Sequence, residues 1–346
     1  MNTTTDMQVL DSLLALNLDI SLWSARKKLQ AEDFGGATLP PEDLASLGSK
    51  KIADPENLRI FSILKSRTFN FLDRHGVRFM GGWAIPEAKA DIIVHELMNI
   101  RDAFFDAKRD FLADYDRDIQ AWISKHDAWG DIIRNSTVSS SYVDARIDFR
   151  WQLYKVAPIM QHSDNTVVLE SGLAEEVTNL GNTLFAEISK EAADIWRRVY
   201  DGKTEVTHKA LSPLRTLHSK LVGLSFVEPH VMPAADIIKA ALDRMPTKKG
   251  CIAGADLLLL QGVVSMLRDP DTLFEHAHKI LAGDAPASVL ADLSGTSSVA
   301  EVAEVAEVAD IAPSQPDVQP EQSAPTVAPS PTHSPTPIAV PSFGLW

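Results

Sequence analysis

Residues 87–128, EAKADIIVHELMNIRDAFFDAKRDFLADYDRDIQAWISKHDA, contain neither proline nor glycine. Apolar residues recur there at Ile93, Leu97, Ile100, Phe104, Ala107, Phe111, Tyr115, Ile119 and Trp122, in gaps of three and four that trace one helical stripe. A second stretch, from Val167 to Tyr200, repeats the pattern through Leu173, Val177, Leu180, Leu184, Ile188, Ala192, Ile195 and Val199. At ~1.5 Å of rise per residue each would be a rod roughly 50–60 Å long. Between them, Ser136 to Asn165 carries a short helical pattern over Val143–Val156, closed by Pro158. Two rods joined in this way predict an antiparallel, coiled-coil-like hairpin that buries one stripe against the other.

Upstream, Leu14, Leu16, Leu18, Ile20 and Leu22 alternate with Ala15, Asn17, Asp19 and Ser21, the period of a half-buried strand. Gly76 to Trp83, continuing into Ala84-Ile85-Pro86, is a second extended candidate, and the two can pair in a small sheet. Asp54-Pro55-Glu56 opens a helix, because Asp accepts a backbone N–H as N-cap and Pro loses nothing at the first helical position. That helix runs to about His75, with Gly76 as its stop and Leu58, Phe61, Leu64, Thr68, Phe71 and Leu72 inside. Downstream, helical patterns occupy Thr207–Leu224, Pro233–Met245, Ala253–Arg268 and Pro270–Leu281, punctuated by prolines. The expectation is a mainly α protein: a small α/β head (8–86), a long helical hairpin (87–204), a C-terminal helical segment packed on head or stem (205–284), and a disordered tail (285–346).

The tail expectation rests on composition. Residues 296–346 hold six acids, no Lys or Arg and nine of the 20 prolines. So little apolar content cannot offset the entropy of ordering. Of the formal charge of -14, about -6 falls there and -8 on the preceding residues, which argues against bulk electrostatic attraction of polyanions. Cys251 is the single cysteine, which excludes an intramolecular disulfide and fits a reducing compartment. The first residues lack a basic n-region, and the most apolar run, Ile252–Leu267, is interrupted by Asp256 and Gln261 and falls short of the ~20 residues of a membrane span. A cytoplasmic protein without membrane association is expected.

Signatures of catalysis are missing. Gly48-Ser49-Lys50-Lys51 lacks the upstream glycine of a phosphate-binding loop, and neither a Gly-x-Gly-x-x-Gly fingerprint nor a Gly-x-Ser-x-Gly elbow occurs. His95-Glu96 begins like a zinc-protease helix, but no second His follows one turn later. His276 and His278 point to different faces of one helix, and His208, His218 and His230 are scattered. Asp114, Asp116 and Asp118 read as a solvated helix face, and Cys251 as a small buried side chain. No catalytic residue, metal or cofactor is therefore assigned. Trp83, beside Gly81 and Gly82, closes the small sheet or meets a partner at the surface.

Two features point to binding. The clusters Arg26-Lys27-Lys28 and Lys50-Lys51 are candidate anion or nucleic-acid contacts, against the simpler reading that they offset Glu32, Asp33 and Asp54. At the far end, Phe343, Leu345 and Trp346 follow a long acidic tether, the pattern of a short docking peptide for a protein partner.

Several stretches resemble the bacterial family known as domain of unknown function 3150. They are Leu16-Asn17-Leu18-Asp19-Ile20-Ser21-Leu22-Trp23 with Arg26-Lys27-Lys28-Leu29, Leu44 to Lys51 leading into Asp54-Pro55, Val77-Arg78-Phe79 with Gly81-Gly82, and Lys220 to Phe226. The likeness covers about residues 8–282. It transfers no active site. Members of that family look like products of phage, plasmid and other mobile elements, often beside a MoxR-type or cobaltochelatase-like AAA+ ATPase and a von Willebrand-type partner. What the resemblance implies is a non-enzymatic adaptor next to such an ATPase, recruiting a partner through Phe343, Leu345 and Trp346. The alternative is a nucleic-acid-associated protein of a mobile element that uses the basic residues.

Overall fold

The chain's alternating segment is a strand whose first half is sealed on both faces. In the computed structural model, which describes residues 3–35, 45, 48–157, 171–246 and 250–293, helix α1 (Thr3–Ser12) leads directly into β1 (Leu13–Ser21). Two short strands follow, β2 (Arg26–Lys28) and β3 (Ser49–Lys51), then α2 (Arg59–His75) and the hairpin β4 (Val77–Phe79) and β5 (Gly82–Pro86). Helix α3 (Ala90–Lys125) is followed by the short α4 (Gly130–Arg134) and α5 (Ser140–Asp144) and by β6 (Asp148–Tyr154). After α6 (Ser171–Ile195) come β7 (Glu205–Thr207), α7 (Leu211–Gly223), α8 (Val231–Asp243), β8 (Cys251–Ala253), α9 (Gly254–Leu267), α10 (Pro270–Leu281) and α11 (Pro286–Leu293). The described residues all lie in one compact unit.

The main sheet is four-stranded, in the order β4-β5-β1-β6, and its pairings are antiparallel. Strand β1 matches Leu16 with Trp83 on one side and with Leu153 on the other. Leu16 joins Trp83, Ile85, Leu72, Ile93 and Leu97 in a seam under α2 and α3. Leu13 and Ala15, one residue out of phase, join Val77, Phe79 and the buried face of α6 on the opposite side. The extended candidate at 76–86 is thus a hairpin, not one strand. Met80 and Gly81, both at positive φ (47° and 76°), make its two-residue turn. Gly76 stops α2 without a left-handed cap: its φ of -130° is extended, and a Cβ there would lie 2.7 Å from the Ala84 carbonyl oxygen. The glycine permits close backbone approach.

Both long helices form with their stripes inward, but they do not make the expected hairpin. The stripe of α3 divides between the seam at Ile93 and Leu97 and a cluster at Ile100, Phe104, Phe111, Tyr115, Ile119 and Ile123 with Phe61, Leu64, Val143 and Phe149. Rings carry much of it, with Phe104 meeting Phe61 at 5.2 Å and Phe149 at 5.5 Å. The stripe of α6 lies instead among Leu214, Leu217, Leu221, Ile237, Leu260 and Val264 from α7, α8 and α9. The reason is the sheet, which offers each helix an apolar surface of its own.

Two further expectations change. Val143–Val156 is the end of α5 and then β6, because Phe149, Trp151 and Leu153 alternate with Arg150, Gln152 and Tyr154 in period two. The ordered body runs past Asp284 into α11, whose Val289 and Leu290 are buried in the C-terminal bundle. The rest of the expected tail, 294–346, lies outside the described residues, as do Phe343, Leu345 and Trp346. The apolar run at Ile252–Leu267 is β8 and α9, buried on most sides, and no described helix is long and apolar enough to cross a membrane. Leu290→Ala should lower the unfolding free energy by ~2–5 kcal/mol in urea titration, whereas a loss under ~0.5 kcal/mol would remove α11 from the core.

Candidate functional site

The two basic runs, some twenty residues apart in sequence, are neighbours in space. Strands β2 and β3 form an antiparallel ribbon with Arg26 opposite Lys51, Lys27 opposite Lys50 and Lys28 opposite Ser49. Directly opposed residues share a face, so Arg26, Lys28, Ser49 and Lys51 lie on one side and Lys27 and Lys50 on the other. Like charges in register are unfavourable, and the ribbon answers them unevenly. Lys50 is nearly buried and pairs with Asp33. Burial opposes ionisation of Asp33, but Lys50 and the Gln30 backbone N–H, at 2.9 Å, outweigh it and hold the carboxyl below its ordinary range. Among the described residues the Arg26 side chain donates to the Ser49 hydroxyl, at 3.4 Å, and neither Arg26, Lys27 nor Lys51 has a carboxylate partner. Elsewhere on the surface Arg109, Arg117, Arg134 and Arg197 each pair with an aspartate.

The ribbon is bolted to the body at its base. Ala25, buried and at a φ of 52°, accepts a hydrogen bond from the Ile52 N–H at 2.9 Å. Trp122 of α3 donates its indole N–H to the Lys51 carbonyl at 3.3 Å. Beside this base opens a cleft of about 330 Å³ whose walls include Trp23, Ser24, Arg26, Lys51, Arg59 and Ser62. A wider groove of about 700 Å³ continues along the outer face of α2 past Arg59, Ser62, Ser66, Arg67, Asn70 and Arg74. Arg59 and Ser62 belong to both, so the cationic surface runs from ribbon to helix. Its acids are few: Glu56 meets Arg59 at 3.3 Å and Glu96 meets Arg67 at 2.7 Å. The basic runs are visible in the sequence, but these α2 residues are not marked there. Their signal is the spacing of three and four with which Arg, Ser and Asn fill the stripe opposite Phe61, Leu64 and Leu72.

A second polar cluster differs in kind. Lys220, 3 % exposed within the apolar α7, donates to the Glu187 carboxylate and to the Asp73 carbonyl, both at 2.7 Å. The Arg78 N–H donates to the other Glu187 oxygen at 3.0 Å, and the Trp83 indole N–H to Asp73 at 2.8 Å. Trp83 is buried and carries the Arg78 guanidinium over its ring, so it closes the sheet and is no docking surface. The cleft outside is walled by Asp73, Glu187, Glu191 and Asp194 against Arg74, Arg78, Lys190 and Arg198, with Arg78 paired to Asp73 and Arg198 to Asp194. Burial pushes the Glu191 carboxyl up, against the pull of Lys220 and Arg74. Burial, then Lys89 and Arg74, push the His75 imidazole down. The arrangement ties α2, α6 and α7 together.

The remaining candidates separate. Cys251 is exposed on β8, not buried. His278 meets His230, 48 residues earlier, at 3.2 Å, and Glu228 holds the other ring nitrogen of His230. Among the described residues no group of three or more His, Cys, Asp or Glu could hold a metal ion. Asp114 and Asp118 pair with Arg117 on the solvated face of α3.

Fold and surface together define a mainly helical protein with a small antiparallel sheet and a separate two-stranded cationic ribbon. The family described as "Protein of unknown function (DUF3150)" matches residues 10–269, which include the sheet, both long helices and the ribbon. The chain belongs to that family. No curated protein and no solved structure matches it.

Lys220→Ala should destabilise the protein by ~3–5 kcal/mol, because it strands the Glu187 carboxylate, while the Lys220→Met, Glu187→Met double variant should recover most of the loss. Equal instability of the two variants in chemical denaturation would show that packing, and not the ion pair, carries the cluster.

Proposed function

We propose that this protein is a non-enzymatic accessory protein whose body binds nucleic acid through the phosphate backbone, with the β2–β3 ribbon and the outer face of α2 as its contact surface. The observation that carries this reading is the register pair Arg26 and Lys51: two exposed cations held opposite each other, without a carboxylate among the described residues. A chain of net charge -14 has acids in surplus, yet none of the described ones answers this pair. An external polyanion relieves the repulsion and releases its own counterions in the process. Ser62, Ser66 and Asn70 add neutral donors between the arginines, the mixture that meets phosphate oxygens without reading bases.

A second reading is favoured by the composition of residues 296–346. Phe343, Leu345 and Trp346 interrupt an acidic, proline-rich stretch, which supports an adaptor that recruits a protein partner; the family resemblance makes that partner an AAA+ ATPase complex of a phage or mobile element. The two readings are compatible, one surface holding the strand and the peptide bringing the motor to it.

Fluorescence anisotropy with single-stranded and duplex oligonucleotides should show affinity that falls steeply with salt. Arg26→Glu and Lys51→Glu should each weaken binding and lower the logarithmic salt slope by about 0.7–0.9 for the contact removed. Absence of binding at low salt would defeat the nucleic-acid reading. For the adaptor reading, replacing Phe343, Leu345 and Trp346 with alanine should abolish capture of a co-expressed neighbouring ATPase while the melting temperature stays constant; undiminished capture would exclude the peptide.

A further inference from the structure

The cleft at the ribbon's base is built differently from the open groove on α2. Leu22, Trp23, Leu58 and Phe61 give it an apolar floor, while Arg26, Lys51 and Arg59 stand at its walls. The floor is firm: Trp23 packs edge-on against Tyr115 at 5.9 Å, and Phe61 edge-on against Phe111 at 5.8 Å. Its walls come from three separate pieces of chain, the end of β1, the ribbon and the start of α2. The buried left-handed Ala25 turns the chain between them, so that Trp23 and Arg26 line the same cleft.

At about 330 Å³ the space lies near the lower end of small-ligand clefts, ~300–1,000 Å³, which suits one nucleotide and is too small for two. A flat apolar ring over a cationic rim is complementary to a base joined to a phosphate. A duplex cannot use such a cleft, because its bases are stacked on each other, whereas a single strand can turn a base out. Resting on the nucleic-acid reading and sharpening it, we propose that this cleft holds one nucleoside monophosphate unit, its base against the half-buried Trp23 and Leu58 and its phosphate against Arg26, Lys51 and Arg59. The surface then prefers single-stranded nucleic acid, with the α2 groove carrying the adjoining phosphates. The same chemistry is offered by a free mononucleotide, and the experiment separates the two sources.

The full chain is titrated, at one fixed salt concentration, with a single-stranded oligonucleotide of mixed sequence, the same sequence as a duplex, a nucleoside 5′-monophosphate, the nucleoside alone and inorganic phosphate. The expected result is about tenfold or greater preference for the single strand over the duplex, the range that stacking of one base supplies. Ser24→Trp, which fills the cleft from one wall, should bring that ratio close to one. Ser62→Trp, from the opposite wall, should do the same, which guards against a folding defect in either variant. Binding of the monophosphate alone, blocked by both variants and without affinity for the strand, would assign the cleft to a free nucleotide and defeat the surface reading of the preceding section. Equal affinity for strand and duplex, unaltered by either variant, would overturn the cleft and leave the backbone surface standing. Absence of binding by strand and monophosphate alike would overturn both.

Discussion

The constraint on which the rest depends is the double burial of β1. Its first half hides Leu13 and Ala15 against α6 and hides Leu16 against α2 and α3, so the strand is a partition between two apolar bodies. Beyond Leu16 one face opens: Asn17, Asp19 and Ser21 are exposed and sit opposite Gln152, Arg150 and Asp148 of β6. The strand's other face stays apolar to Ile20, which enters the aromatic cluster of α3. That cluster in turn takes up Ala25, Ile52 and Ala53, the residues that flank the base of the cationic ribbon. Hydrophobic burial at the centre thus fixes where surface charge is displayed.

This partition explains why the two long helices were legible and their arrangement was not. Gaps of three and four at Ile93 to Ile119 and at Val177 to Ile195 state that each helix buries one face, and both do. A stripe does not state its partner. Pairing the two stripes is the economical guess when little else apolar is in view, but β4, β5 and β6 supply other surfaces. Strand β6 itself was obscured because Phe149, Trp151 and Leu153 follow directly on Val143 and Ile147, whose gap of four continues a helical reading. Helix α11 was obscured by brevity, since Val289 and Leu290 are its buried residues and the sequence after it is proline-rich and acidic.

The site was legible in its parts. Arg26-Lys27-Lys28 and Lys50-Lys51 stand out as charge runs, but register is a tertiary fact, set here by the Ile52 N–H on the Ala25 carbonyl and by Trp122 on Lys51. Lys220 was hidden for the opposite reason: one cation among Leu214, Leu217 and Leu221 looks like a solvated interruption of a stripe, whereas Glu187 draws it into the core.

The contrast between these cations bears on function. Where a lysine is buried the fold answers it, as Glu187 answers Lys220 and Asp33 answers Lys50. Where the cation reaches solvent at the ribbon's cleft face, no described carboxylate answers Arg26 or Lys51. Desolvation alone would account for the first pattern, since an unpaired buried charge is costly. It does not account for the second, because the chain's surplus acids could have been placed there at small cost in a solvated site. The net charge of -14 is largely screened beyond the Debye length of ~8–10 Å, so the potential that an approaching group meets at the ribbon is set by the local cations. An acidic protein with a confined cationic surface therefore concentrates its positive potential at one place instead of spreading it over the body.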